Sequence, residues 1–153
     1  MEANELIAEL GKKIGIDLKF DAYNSCGIEA DGMAVLINYL EEIGLISITA
    51  DIGEPPPERL EGLYKVLLEG NHMFAATAGS TISLDPETGH VTLCRAVPCK
   101  ALGPAEFNGE IERFVNTLEM WKKTVEGFRA APPVAETSEA GNPAFGTTGF
   151  MQV

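Results

Sequence analysis

Residues 54–71, EPPPERLEGLYKVLLEGN, constrain the fold of this chain more than any other stretch, because they open a helix with prolines and lay down an apolar stripe of double width. Pro57 suits a first helical turn, where a backbone N–H has no partner in any case, and Glu58 stands at the positive end of the helix dipole. Leu60, Leu63, Tyr64, Leu67 and Leu68 recur at i, i+3, i+4, i+7 and i+8, with Val66 beside that line to widen the arc. Such a helix has to be covered, and one flank is left to face something outside its own domain. Gly70-Asn71 suits a left-handed cap at its end.

The remaining elements follow from period and punctuation. Ala3, Leu6, Ile7, Leu10 and Ile14 share one helical face, with Glu2, Glu5 and Glu9 towards the start and Lys12 and Lys13 towards the end, as the helix dipole favours. Asp31-Gly32, flanked by apolar runs, predicts a hairpin because both residues tolerate positive φ. Ile46, Ile48, Ala50 and Ile52 alternate with Ser47, Thr49 and Asp51, a third strand buried on one face. Residues 81–84 and 91–97 flank the polar loop Asp85-Pro86-Glu87-Thr88-Gly89, a second hairpin. Phe107, Ile111, Phe114, Leu118, Trp121, Val125 and Phe128 then fall at alternating steps of four and three, the seam of one long helix with an aromatic core-facing side. The order helix, three strands, helix, two strands, helix is α+β with mainly antiparallel pairing and helices packed on a twisted sheet.

The strand at 33–40 is apolar on both faces, with Val35, Ile37 and Tyr39 on one and Ala34, Leu36 and Leu40 on the other. Two arrangements satisfy it. If helices cover one face of a small antiparallel sheet, the other needs a second subunit or a bound segment. Alternatively, helices lie on both sides and close both faces.

A length of 153 residues with 45% hydrophobic residues fits one compact domain. A formal charge of -12 argues against a nucleic-acid backbone or an anionic membrane as partner, and is compatible with keeping a basic or aggregation-prone polypeptide in solution. The acidic, amphipathic start does not read as a signal peptide, and no apolar run approaches the roughly 20 residues that span a bilayer. Cys26, Cys94 and Cys99 are odd in number and lack CxxC spacing, as in a reducing compartment with buried thiols, so a cytoplasmic protein is expected. From residue 130 onward APPVAETSEAGNPAFGTTGFMQV carries no basic residue and many Pro, Gly, Thr and Ala, so the chain divides into a domain at 1–129 and a Pro/Gly-rich tail at 130–153. If that tail is ordered, Phe145, Phe150 and Met151 are its anchors, with Phe145 or Phe150 in an apolar groove of its own or a neighbouring molecule, in the manner of cargo.

No chemistry-bearing constellation emerges. The glycines form no GxGxxG or GxxxxGK phosphate cradle. His72, His90, Cys94 and Cys99 lack metal-ligand spacing, and Glu41-Glu42 and Glu110 with Glu112 read as solvated surface rather than a calcium site. An enzyme would need Cys26 as nucleophile with His72 or His90 as base, yet Cys26 opens a strand and both histidines stand at turn edges. No cofactor and no metal are expected.

Several phrases together resemble the Tir-chaperone family, the class I chaperones of bacterial type III secretion, over residues 3–127: the opening amphipathic helix, IGIDLKFD followed by CGIEADG, the ending LLEGN, the hairpin GSTISLDPETGHVTLCRAVP, and ERFVNTLEMWKKTV with Trp121. The hairpin and LLEGN are the most specific. The resemblance implies an acidic cytoplasmic homodimer, without catalytic activity, that binds an extended N-terminal segment of a secreted effector and keeps it ready for export, with the secretion apparatus as a further partner. It places the dimer interface on Leu60, Leu63, Tyr64, Leu67 and Leu93. It places the effector on Leu6, Ile7, Leu10, Ile14, Phe20, Ile28, Leu36 and Leu40, partly by β-strand addition. Gly70 departs from the pattern, which leads one to expect a larger residue, and the tail has no counterpart. A regulatory adaptor that sequesters a transcriptional regulator is the alternative on the same scaffold, and a small cysteine-dependent enzyme the minor one.

Overall fold

The computed structural model describes residues 1–130; the tail anchors Phe145, Phe150 and Met151 lie outside the described residues. Helix α1 spans Ala3–Ile14, and Glu2 and Glu5 close a reciprocal capping box at its start. Strands β1 (Ser25–Ala30) and β2 (Met33–Leu40) meet through Asp31-Gly32, which adopt φ of 51° and 75°, and β3 (Leu45–Gly53) follows. Helix α2 covers Leu60–Asn71, β4 Thr81–Leu84, β5 Val91–Pro98, and α3 Pro104–Ala130. The five strands form one antiparallel sheet in the order β1-β2-β3-β5-β4.

All three helices pack on one face of that sheet. Ile37, Ile46, Ile48, Val91 and Leu93 point into a single core with Leu6, Ile7 and Leu10 of α1, Leu63 of α2, and Phe107, Phe114 and Leu118 of α3. Among the described residues no element covers the other face. Of the two arrangements the β2 pattern permits, the structure adopts the one-sided one: Val35 and Ile37 are buried, whereas Leu36 and Leu40 on the opposite face are 46% and 42% exposed.

Two details of the 54–71 stretch differ from expectation. The prolines do not open the α-helix: Pro57–Arg59 form a single 3-10 turn, and the α-helix begins at Leu60 because Arg59, at φ −141° and ψ 23°, breaks the run between them. Nor do Gly70 and Asn71 make a left-handed cap; positive φ falls on Met73 and Phe74 instead. Both residues are held by distant partners. A Cβ at Gly70 would lie 2.5 Å from Cζ2 and 2.7 Å from Cη2 of Trp121, so glycine is what lets the indole lie on the helix. The indole N–H of Trp121 in turn donates to the Ala76 carbonyl at 2.9 Å and fixes the loop that follows. Asn71 uses its carboxamide on β4.

Candidate functional site

A sheet edge can accept a partner strand only through backbone groups that point away from the sheet. In β1 the parity is set by Tyr39 N–H donating to the Asn24 carbonyl at 2.8 Å, which makes Cys26, Ile28 and Ala30 the residues bonded to β2 in the observed register. Ser25, Gly27 and Glu29 therefore face outward. Ser25 is already closed: its N–H donates to Asp21 Oδ1 at 3.0 Å and its carbonyl accepts from Asp21 N–H at 2.9 Å. The outward N–H and C=O groups of Gly27 and Glu29 meet no partner among the described residues.

That short edge is flanked by depressions on both faces, each with apolar side chains in its lining. On the helical side, one of about 310 Å³ lies between α1, β1 and α3 and is of mixed character, lined by apolar Leu10, Ile14, Ile28, Ala30, Ile111 and Val115 together with Glu29, Asp31, Glu112 and Asn116. Its rim is braced by Lys13 of α1, which donates to Glu112 of α3 at 2.6 Å and holds that carboxyl below the ordinary glutamate range by its hydrogen bond and charge. On the open face a broader depression of about 600 Å³ runs from Gly27, Ala34 and Leu36 across Thr49 and Thr92 to Leu84 and Pro86. A third apolar groove, about 230 Å³, separates α2 from β4 and is lined by Tyr64, Leu67, Leu68, Ile82 and Leu84.

Of the residues assigned to effector contact, Ile14, Leu36 and Leu40 are exposed, and Ile28 is buried yet forms a wall of both β1 depressions. Phe20 is half-buried and stacked on Tyr39, ring centroids 6.1 Å apart. Leu6, Ile7 and Leu10 lie in the core of the chain, so they support that surface from below. Of the interface residues, Leu60 and Tyr64 reach the surface, and Leu63, Leu67 and Leu93 are interior. Leu68, named in the α2 stripe but not among the interface residues, is 69% exposed and stands four residues from Tyr64. Sequence reasoning missed Leu84 and the Gly27 and Glu29 edge, which no local signal reveals, since strand parity depends on the pairing register.

The Cys26 thiol is buried, and burial, with the charge of Asp21 second, pushes it up to about 11, so it is protonated at neutral pH. His90 Nδ1 is paired with the Asp51 carboxylate at 2.9 Å, and His72 is exposed on the loop after α2. Cys99 donates its S–H to the Gly44 carbonyl at 3.1 Å, and half-buried Cys94 lies 3.7 Å from the Ser47 hydroxyl. Among the described residues no cluster of three or more His, Cys, Asp or Glu is placed to hold a metal ion, and no helix is long and apolar enough to cross a membrane.

The described residues thus form a one-sided α+β sheet with an open β1 edge and apolar patches on its surface. A sequence profile of the Tir chaperone protein (CesT) family matches residues 5–122, and the chain belongs to that family. Solved structures share the fold. The ExsC-ExsE complex has 22% identity and a TM-score of 0.68, covering 82% of this chain and 97% of that one. The heterodimeric ExoU-SpcU complex from the type III secretion system of Pseudomonas aeruginosa has 18% identity and a TM-score of 0.63, covering 81% and 98%. The Yersinia pestis type III secretion chaperone SycH, in complex with a stable fragment of YscM2, has 13% identity and a TM-score of 0.62, covering 77% and 98%. No curated protein sequence matches this chain significantly.

Proposed function

We propose that this protein is a cytoplasmic, homodimeric chaperone that binds an extended segment of a type III secreted effector and keeps it export-competent, acting by binding energy and not by catalysis. One observation carries the reading: the outward backbone groups of Gly27 and Glu29, flanked on both faces by apolar side chains. Family membership and the type III secretion chaperone complex of like fold support it.

The magnitudes say how such a site would work. Four edge hydrogen bonds contribute about 0.5–1.5 kcal/mol each, whereas ordering five residues of a bound segment costs roughly 1–2 kcal/mol apiece, so edge pairing alone does not hold a cargo. Apolar burial has to make up the difference, at about 1.5–3 kcal/mol for each large side chain fully withdrawn from water. Cargo contact is accordingly assigned to Ile14, Phe20, Ile28, Leu36 and Leu40, over a support of Leu6, Ile7 and Leu10. The second copy is assigned to the α2 face, where Leu60 and Tyr64 stand at the surface backed by Leu63, Leu67 and Leu93. The binding unit is the domain 1–129, with 130–153 as an appended tail.

Co-expression with a candidate effector, followed by mass measurement of the purified species, tests this. A complex of two copies with one effector segment is expected. A clean monomer that retains no effector sinks the reading, and capture of a transcriptional regulator in place of a secreted protein converts it to an adaptor.

A further inference from the structure

The ending LLEGN has a role beyond terminating α2. In β4, Asp85 N–H donates to the His90 carbonyl at 2.9 Å, so alternate residues Ser83 and Thr81 are bonded to β5, while Ile82 and Leu84 face the free edge. The Asn71 carboxamide sits on that edge. Its Oδ1 accepts from Ile82 N–H at 2.8 Å, and its Nδ2 donates to the Ile82 carbonyl, also at 2.8 Å. This donor and acceptor pair is what a neighbouring strand would present to Ile82. Ser80 N–H, next along, is taken by the Thr77 carbonyl at 2.8 Å. Among the described residues Leu84 has no partner for its outward backbone groups, a single open residue beside the turn.

We propose that Asn71 is a specificity-determining residue: its side chain stands in for a sixth strand on β4, so that a partner polypeptide extends the sheet at β1 alone. The inference rests on the strand-addition reading of the β1 edge. A strand gains little from one open residue, whereas two successive outward residues, as at Gly27 and Glu29, allow a repeating ladder. Asparagine suits the task because its amide is isosteric with a peptide group and carries both a donor and an acceptor. Aspartate lacks the donor and places a carboxylate against the Ile82 carbonyl, and alanine offers neither group.

The test uses the full chain and a nitroxide-labelled, uncharged peptide of alternating Thr and Val as probe. Paramagnetic broadening of backbone amides identifies the edge it occupies. In the wild type, Gly27 and Glu29 broaden and Ile82 and Leu84 do not; in Asn71→Ala, Ile82 and Leu84 broaden as well. Amide exchange gives a second measurement that needs no variant to fold: in the wild type Ile82 exchanges far more slowly than Gly27 or Glu29. Asn71→Ala, which removes the oxygen that accepts from the Ile82 N–H, shows Ile82 exchange faster by roughly 5-fold, the equivalent of one ordinary hydrogen bond. Broadening at Ile82 in the wild type, fast wild-type exchange there, or no gain at β4 in Asn71→Ala overturns the proposal. A peptide that leaves β1 untouched in the wild type yet occupies β4 in Asn71→Ala sinks the strand-addition reading of β1 while upholding the role of Asn71; one that occupies neither edge in either protein overturns both.

Discussion

Replacing Gly70 by alanine reverses the usual expectation for a glycine inside a helix. At an unconstrained helical site the substitution gains about 0.5–1 kcal/mol, because alanine loses less backbone freedom on folding. Here the new methyl would lie 2.5 Å from Trp121 Cζ2, and Trp121 is itself buried, with its N–H committed to the Ala76 carbonyl at 2.9 Å. Overpacking of this kind costs about 1–3 kcal/mol. Displacing the indole endangers a hydrogen bond worth about 1 kcal/mol more, which offsets the propensity gain. The net expectation is a loss of about 1–3 kcal/mol. With a urea slope of about 1.5 kcal/mol per molar, the unfolding midpoint falls by roughly 0.7–2 M at unchanged slope. Trp121 is the single tryptophan of the chain, so its fluorescence reports both the transition and the shifted packing. Gly62 on the same helix is the control: its added methyl would meet only Phe128 Cε1 at 3.5 Å, an ordinary contact, and Gly62→Ala should raise the midpoint. A Gly70→Ala protein as stable as the wild type, or more so, refutes this account of the contact.

Three further outcomes are expected. Leu36→Asp on the open face should leave stability within about 0.5 kcal/mol of wild type while abolishing retention of a co-expressed effector, whereas Leu6→Ala in the core should cost about 2–5 kcal/mol, both read by urea unfolding and co-purification. Leu68→Arg, at an exposed position of the α2 groove, should convert a dimer to a monomer of undiminished helicity, measured by light scattering and circular dichroism; an unchanged mass removes that face from the interface. For Cys26, a folded-state thiol raised from 9.0 to about 11 binds its proton more tightly than the unfolded thiol, so its stabilisation is complete below about pH 9 and disappears as pH rises towards 11. Iodoacetamide labelling of Cys26 at pH 8 should be slow in the folded protein and become fast in urea, and rapid labelling of the native state would contradict its burial.

Much of the fold was legible because the signals are local. Asp31-Gly32 specify a tight turn by their tolerance of positive φ, the alternation from Ile46 to Ile52 specifies a strand with one buried face, and the steps from Phe107 to Val125 specify a long helix; each depends on sterics within a few residues. The surplus apolar side of β2 was legible too, as Leu36 and Leu40 record. The candidate surfaces were legible only in part, since a helical stripe such as Leu6, Ile7 and Leu10 reads alike whether it packs inward or meets a partner.

What the amino-acid order determined by itself is therefore the set of elements, their turns and their apolar faces. Tertiary structure decided the rest: that all three helices share one side of the sheet, that Gly70 makes room for an indole 51 positions along the chain, and that Gly27 and Glu29 are open while Ile82 is closed by Asn71. These are relations between distant residues. They depend on pairing register and on which surfaces remain after the core has closed, and neither quantity is encoded in the conformational preferences of any short stretch.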